Sequence, residues 1–264
     1  MRDLSVLRRT YGTRDLATSP VFAGGFINFG YWAGIPLDGE LTVAQRVASE
    51  EALYDLVVAA LDVGPGDRVL EVGSGHGLGA RRVLRRGPGE VRGVDLVPEQ
   101  VARARRANDD PRVAFVQGAC DDLPFPDGSF GALLSVEAAQ HFEDVAGFAR
   151  ESARVLAPGG RLAVATFFTR TDDAAERLAG LLRTFASGLD RAHRVDDVAR
   201  DLRAAGFAHV TADSIGEHVW RGLDRWLARG PRPDRWDRNW LTAFERGLVD
   251  YYLVTARKPA GSPV

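Results

Sequence analysis

The middle of the chain alternates short apolar runs with segments whose apolar residues recur at helical spacing. Five such runs predict buried strands, at 68–73, 90–96, 113–118, 130–138 and 160–168. Helices are expected between them, at 77–86, 98–107 and from about 143 to 155. Strands that alternate with helices favour a parallel sheet with helices on both of its faces.

The two ends of the chain carry different patterns. Before the first strand lie a loop rich in aromatic residues and glycine and a predicted helix from about Val43 to Leu61. The last third predicts helical structure over 171–191 and a helix from Val195 that Gly206 ends. A strand at 209–216, another helix and a last strand, D-Y-Y-L-V-T-A-R-K, follow. We expect that last strand to pair as a hairpin partner at the edge of the sheet.

Composition narrows the possible functions. The chain has 264 residues, 45% of them hydrophobic, and a net charge of −2, which gives no electrostatic reason to expect a nucleic acid partner. Cys120 is the sole cysteine, so an intramolecular disulfide is impossible. Signal-peptide and membrane-span patterns are missing, and we therefore expect a cytoplasmic protein. Paired His/Cys spacing is also missing, which argues against a metal site.

The strongest motif joins the first predicted strand to the helix after it. It reads V-L-E-V-G-S-G-H-G, from Val69 to Gly77. Gly73, Gly75 and Gly77 allow a tight turn that side chains would block. Such a turn lets a ligand approach both the backbone and the N-terminus of the helix.

Two acids flank this glycine turn. Glu71 lies inside the strand just before the glycines, where an acid suits a cationic ligand group better than a pyrophosphate. Asp95 ends the next strand, about 20 residues later, at the position from which an acid binds the hydroxyls of a ribose. The spacing G-S-G-H-G differs from G-x-G-x-x-G, which counts against a nicotinamide dinucleotide.

Four segments together carry a family resemblance. E-V-G-S-G-H-G, V-D-L, G-A-C-D-D-L-P-F-P-D-G-S-F and R-V-L-A-P-G-G-R-L resemble, in order, the motifs of class I S-adenosylmethionine-dependent methyltransferases, from about Asp67 to Phe168. The resemblance implies an α/β, Rossmann-like sheet of seven strands, parallel except for an antiparallel C-terminal strand, with helices on both faces. It also implies one domain: a lid (1–62), a cofactor-binding core (63–168), and a helical insertion after strand five with the C-terminal strands (169–264).

The resemblance assigns cofactor contacts to the glycine turn and to the end of the second strand. Glu71 and Gly73 are expected near the methionine amino group, and Gly75 beside the cofactor. Asp95 is expected to bind the ribose hydroxyls, and Leu96 to pack on the adenine.

Further cofactor contacts are implied elsewhere in the chain. Cys120 and Asp121 are expected at the adenine amine, although Ala119 stands where many relatives place an acid. Gln100 and Glu137 are also assigned to the cofactor. The N-terminal F-I-N-F-G-Y-W resembles a segment of the branch that methylates sugars, macrolides, sterols and tocopherols, and there Tyr31 is expected to help close over the cofactor.

His141 is the candidate catalytic base. It follows strand four, and in this architecture ligands bind beyond the carboxyl ends of the strands. A histidine can accept a hydroxyl proton near neutral pH; the alternative is a packing or capping residue. His76 is the weaker candidate, and Asp172 and Asp173 either orient the substrate or a histidine, or mark a helix N-terminus.

These observations predict methyl transfer from S-adenosylmethionine to a small, hydroxylated, partly apolar acceptor, with no nucleic acid or membrane partner. O-methylation in secondary metabolism, including antibiotic biosynthesis, is the leading expectation, and C-methylation of an activated carbon is the next. An enzyme of the same fold that catalyses cyclisation or isomerisation stays open, because fold does not fix function. A non-catalytic cofactor-binding protein and a nicotinamide dehydrogenase are the remaining alternatives.

Overall fold

Seven strands form one twisted sheet in a computed structural model that describes residues 5–13, 15–229 and 238–261. The strands are β1 (Arg68–Val72), β2 (Glu90–Asp95), β3 (Val113–Gln117), β4 (Phe130–Val136), β5 (Leu156–Thr169), β6 (Ala208–Ser214) and β7 (Val249–Arg257). All five strands expected in the middle of the chain are present, and β5 begins earlier than the apolar run alone indicates.

The sheet has the order β3-β2-β1-β4-β5-β7-β6. The first five strands pair in parallel, and β7 runs antiparallel to both of its neighbours, β5 and β6. The predicted seven-stranded, mostly parallel sheet is confirmed. The expectation that the last strand lies at an edge is wrong, because β7 enters between β5 and β6, and every residue from Val249 to Leu253 is buried.

Ten α-helices accompany the sheet in the described part of the chain. They are α1 (Ser5–Leu7), α2 (Val43–Leu61), α3 (Leu78–Leu84), α4 (Pro98–Ala107), α5 (Val145–Val155), α6 (Ala174–Leu181), α7 (Arg183–Ala186), α8 (Val195–Ala204), α9 (Trp220–Leu227) and α10 (Asn239–Glu245). On one face, α2, α3, α4 and the C-terminal helices α9 and α10 cover the sheet, and α5 and α8 cover the other. None of the described helices is long and apolar enough to cross a membrane.

The continuous helical stretch expected over 171–191 is wrong in part. Helix α6 ends at Leu181, because Leu182 adopts an extended backbone with φ −126° and ψ 123°. Only the single turn α7 follows, and Gly188 then takes a positive φ of 74° that ends helical structure. Residues 189–194 form a non-helical segment that lies against the residues after β4, since the Arg191 amide donates to the carbonyl of Gln140 at 2.9 Å.

The core has two layers because side chains of neighbouring strand positions point to opposite faces. Val69 of β1 packs into the layer beneath α2, whereas Leu70 packs into the layer beneath α5. Strand β1 lies between β2 and β4, where the strand order reverses. In open α/β sheets, the crevice beyond this reversal is the usual ligand site.

A buried ion pair fixes the loop before α2. Arg46 and Glu50 lie one helical turn apart with fully buried side chains, and their charged atoms are 3.1 Å apart. The guanidinium donates to the carbonyls of Asn28 and Phe29, at 2.6 and 3.0 Å, and Glu50 accepts from the Ala23 amide at 3.2 Å. All of these hydrogen bonds join side chains of α2 to backbone atoms of the loop, so α2 determines the path of the loop.

Candidate active site at the carboxyl edge of the sheet

A cavity opens at the carboxyl ends of β1, β2 and β4. The glycine turn after β1 and the end of β2 form its floor, and the segment after β4 forms one wall. The N-terminal segment contributes Leu7 and Tyr11, and the loop before α2 contributes Phe26 and Ile27. The cavity therefore lies where the order of the parallel strands reverses.

The glycine turn needs its glycines for two different reasons. All three have positive φ, 80° at Gly73, 50° at Gly75 and 74° at Gly77. A Cβ at Gly73 would collide with the side chain of Ala138, so the turn packs directly against the segment after β4. A Cβ at Gly75 would meet nothing within 4 Å, because this residue borders the cavity.

Asp95 organises the turn as well as lining the cavity. Its two carboxylate oxygens each accept one backbone amide at 2.9 Å, from Gly75 and from Val97. Burial raises the pKa of Asp95, and these two hydrogen bonds oppose the rise. A carboxylate oxygen has two lone pairs, so both oxygens keep capacity for a pair of ligand hydroxyls.

Glu71 is fully buried behind the cavity wall rather than on it. Oε1 accepts the hydroxyl of Tyr54 at 3.1 Å, and Tyr54 lines the cavity in its place. Burial raises the pKa of Glu71 to about 8, against the hydrogen bond from Tyr54. Any contribution of Glu71 to ligand binding is thus exerted in part through the Tyr54 hydroxyl.

Two buried polar atoms at the glycine turn, Oε2 of Glu71 and Oγ of Ser74, have no hydrogen-bond partner among the described residues. Nε2 of His76 lies 3.4 Å from Oδ1 of Asp15. Ser74 and His76 both line the cavity. Buried polar groups are normally paired, so two unpaired atoms beside one turn indicate a site that a polar ligand completes.

The remaining predicted adenine-side residues also reach the cavity. Leu96, Gln100, Cys120 and Asp121 all line it, as does Phe142. The structure therefore brings these four together with Gly73, Gly75 and Asp95, although the four follow two different strands, β2 and β3.

Tyr31 and Glu137 do not have the surroundings expected of residues that contact the cofactor. Tyr31 does not line the cavity, because its ring packs edge-on against His218 at a centroid distance of 5.4 Å. Glu137 does line it, yet Oε1 already accepts the Phe29 amide at 2.5 Å and the Tyr251 hydroxyl at 2.9 Å. Burial raises the pKa of Glu137 to about 7. These contacts make Glu137 a link between the N-terminal loop and β7.

His141 lies on the cavity wall with both ring nitrogens engaged. Nδ1 faces two oxygens, the carbonyl of Leu189 at 2.9 Å and Oδ1 of Asp190 at 3.1 Å. A carbonyl oxygen and a carboxylate oxygen both accept hydrogen bonds, so Nδ1 is the nitrogen that donates and Nε2 of the neutral ring is the acceptor. The side chains of His141 and Asp190 are only 10% and 3% exposed. This is the arrangement of a histidine base oriented by a buried carboxylate.

Sequence reasoning missed several residues of this site. Asp190 takes the orienting role considered for Asp172 and Asp173, which instead lie exposed and pair with Arg194 and Arg177. Tyr11 and Tyr54 were also missed. A carboxylate downstream of the expected histidine was the one available signal for Asp190, but the predicted helix over 171–191 gave no reason to select it.

Comparison with known proteins assigns the family. A family model described as a methyltransferase domain matches residues 70–164. Erythromycin 3''-O-methyltransferase from Saccharopolyspora erythraea is 33% identical over 78% of this chain and 70% of its own length. The chain belongs to the class I S-adenosylmethionine-dependent methyltransferases. This methyltransferase is also 29% identical to 27-O-demethylrifamycin SV methyltransferase from Amycolatopsis mediterranei, over 89% of this chain and 91% of that protein.

Solved structures share the fold of this methyltransferase. A geranyl diphosphate C-methyltransferase from Streptomyces coelicolor, crystallised with Mg²⁺, geranyl diphosphate and S-adenosyl-L-homocysteine, superposes with a TM-score of 0.80, at 18% identity over 96% of this chain and 97% of that chain. The cyclase SpnF superposes with a TM-score of 0.73, at 24% identity over 97% and 96%. At these identities the likeness concerns the fold alone.

The cofactor of this methyltransferase is S-adenosylmethionine, and the cavity suits it chemically. Asp95 offers paired acceptors to ribose hydroxyls, and the apolar side chain of Leu96 lies next to it in the wall. Ser74 lines the cavity, and its unpaired Oγ is an acceptor that suits an ammonium group, whereas Glu71 with its unpaired Oε2 lies behind the wall. Among the described residues, no group of three or more His, Cys, Asp or Glu side chains is arranged to hold a metal ion.

Proposed function

We propose that this enzyme methylates a hydroxyl oxygen of a small, partly apolar metabolite in secondary metabolism. The observation that carries the proposal is the orientation of His141, a residue of the cavity wall whose Nδ1 is held by Leu189 and Asp190, which leaves Nε2 as the proton acceptor. A hydroxyl nucleophile needs a base of this kind, because it must lose its proton as the new bond forms.

The bound cofactor supplies a methyl group already activated by a positively charged sulfur. The protein then has two tasks. Asp95, Leu96 and the glycine turn hold the cofactor in place, and positioning of this kind supplies much of the rate enhancement. His141 accepts the proton, and Asp190 stabilises the imidazolium that results.

The relatives support an oxygen acceptor and suggest its class. Two of them are named for O-methylation, of an erythromycin and of a rifamycin. We infer an acceptor that resembles such products, a hydroxylated macrocycle or a sugar attached to one, and a role in antibiotic biosynthesis. We propose that the chain forms one catalytic domain and acts in the cytoplasm.

A mass-spectrometric assay tests the proposal. The purified enzyme is incubated with S-adenosylmethionine and either 27-O-demethylrifamycin SV or an erythromycin that lacks the 3''-O-methyl group. We expect the mass of one acceptor to increase by one methyl group, with matching release of S-adenosyl-L-homocysteine, and we expect a chelator to leave the rate unchanged. His141→Ala serves as the control for the proposed base.

The same assay separates the alternatives. An acceptor that is converted without a gain in mass indicates cyclisation or isomerisation. A methyl group located on carbon indicates C-methylation. Failure of every hydroxylated acceptor would overturn the proposal.

A further inference from the structure

The N-terminal segment places a phenol directly on the proposed base. Tyr11 Oη lies 2.8 Å from Nε2 of His141, and the two rings are tilted with a centroid distance of 5.4 Å. Because Nδ1 of His141 holds the ring proton, Nε2 can only accept, and the Tyr11 hydroxyl is therefore the donor in this bond.

Tyr11 is held in this position from outside the cavity. The guanidinium of Arg103 on α4 donates to the carbonyls of Tyr11 and Gly12, at 2.6 and 2.7 Å. Arg8 forms an ion pair with Glu99 on the same helix. Two basic side chains thus fasten the segment to α4, so the phenol occupies a fixed place.

The single acceptor lone pair of Nε2 has no room for another donor. It already faces the Tyr11 hydroxyl and, at 3.2 Å, the side-chain amide of Gln140. The hydroxyl of an incoming acceptor therefore cannot reach Nε2 while Tyr11 stays in place. Tyr11 also lines the cavity, and its hydroxyl oxygen keeps its own lone pairs while it donates to Nε2.

We propose that Tyr11 is a catalytic residue that relays the proton of the acceptor hydroxyl to His141. This rests on the proposed O-methylation. As the acceptor oxygen bonds to the methyl carbon and the carbon–sulfur bond breaks with its electron pair on sulfur, the acceptor proton passes to Tyr11 Oη. The proton of Tyr11 passes at the same time to Nε2 of His141. The phenol ends neutral, and the imidazolium beside Asp190 returns its proton to solvent.

The relay fits the chemistry of a phenol in this position. Burial raises the pKa of Tyr11 well above its ordinary value, and the nearby charges of Asp190, Glu137 and Asp95 raise it further. A free phenolate is therefore disfavoured, and the phenol serves as a hydroxyl that accepts one proton while it donates another. The opposite possibility is that Tyr11 only blocks the base until the acceptor displaces it.

The substitution Tyr11→Phe removes only the hydroxyl oxygen, and it distinguishes a proton relay through Tyr11 from a Tyr11 that only blocks His141. With 27-O-demethylrifamycin SV or the demethylated erythromycin as acceptor, Tyr11→Phe is expected to lower kcat about 10-fold or more. KM and the affinity for S-adenosyl-L-homocysteine are expected to stay the same. Adding Tyr11→Phe to His141→Ala should then cost little further, because both residues act in one proton path. Tyr252→Phe, a buried tyrosine outside the cavity, is the matched control and should leave kcat unchanged. An unchanged or higher kcat in Tyr11→Phe would overturn the relay.

A measurement without acceptor keeps this test separate from the proposed function. Nitrogen NMR of the histidines, in enzyme saturated with S-adenosyl-L-homocysteine, should show His141 with its proton on Nδ1. The Nε2 resonance should move in Tyr11→Phe and stay in Tyr252→Phe. A proton on Nε2, or a resonance that Tyr11→Phe leaves in place, overturns the proposal even where the wild-type enzyme methylates its acceptor. A wild-type enzyme that methylates nothing refutes the proposed function, whereas the NMR result still shows whether the Tyr11 hydroxyl donates to Nε2 of His141.

Discussion

The carboxylate of Asp190 lies 3.1 Å from Nδ1 of His141, although the helices α5, α6 and α7 and the strand β5 separate the two residues along the chain. Asp190 comes from the segment after α7, and His141 comes from the turn after β4. Both side chains are nearly buried, so little water competes for the imidazole proton. The contact fixes which nitrogen of His141 can act as a base.

Asp190→Asn should weaken the base without changing the shape of the site. The amide removes the negative charge that stabilises the imidazolium, while the Leu189 carbonyl still accepts from Nδ1. We therefore expect kcat to fall about 10- to 100-fold, less than for loss of His141, with unchanged affinity for the cofactor. Asp172→Asn, an exposed carboxylate paired with Arg194, is the control. Equal kcat for the two variants would show that Asp190 has no part in orienting the base.

His141→Ala should remove the base altogether. We expect turnover with a hydroxyl acceptor to fall about 100-fold or more. The Kd for S-adenosylmethionine, measured by calorimetry, should stay nearly unchanged because Asp95 and the glycine turn remain intact. Unchanged turnover in this variant would exclude His141 as the base and would favour a carbon or already ionised acceptor.

Local sequence patterns were sufficient for the parts of this enzyme that depend on neighbouring residues. The glycine turn is one example, since a positive φ at Gly73, Gly75 and Gly77 follows from the absence of a Cβ. Asp95 is another, because it ends a strand at a fixed interval after that turn. Helix α4 has the predicted bounds, with a proline in its first turn.

Contacts between segments that are distant in the sequence could not be predicted from local patterns. Tyr11, which meets His141, belongs to an N-terminal segment that Arg8 and Arg103 attach to α4. Tyr31 was expected at the cofactor, yet the path of its loop is set by the buried Arg46, and its ring turns towards His218. The place of β7 within the sheet likewise depends on pairing with two strands that are remote in sequence.

Asp95→Ala should show how much of the cofactor affinity the ribose acceptor supplies. Loss of two hydrogen bonds from the ribose hydroxyls to the Asp95 carboxylate should weaken the free energy of cofactor binding by about 3 kcal/mol, a roughly 100-fold rise in Kd. Asp95→Asn should have a smaller effect, because its amide oxygen still accepts one bond. Calorimetry with S-adenosyl-L-homocysteine measures both, and Asp122→Ala, an exposed neighbour of the adenine side, is the control. A Kd for Asp95→Ala equal to that of the control would contradict the assignment.

Glu71→Gln should change how the stability of the ligand-free enzyme depends on pH. Burial raises the pKa of Glu71 from 4.5 to about 8 in the folded protein, so the folded state keeps a proton that the unfolded chain has lost between these two values. The folded state thus binds more protons, and the free energy of unfolding must fall as the pH rises from about 4.5 to 8.

Glutamine carries no proton equilibrium, and this part of the pH dependence should disappear in Glu71→Gln. We expect the variant to gain about 4 kcal/mol over the wild-type enzyme between pH 5 and pH 9, measured as the free energy of unfolding in urea. Glu50 and Glu137, whose pKa values burial also raises, should produce a remaining slope of the same sign in both proteins. Glu217→Gln, whose side chain is 70% exposed, should follow the wild-type profile. Parallel profiles for Glu71→Gln and the wild type would show that Glu71 is ionised in the folded protein throughout this range, with its charge stabilised by Tyr54 and the backbone of Ala80 on α3.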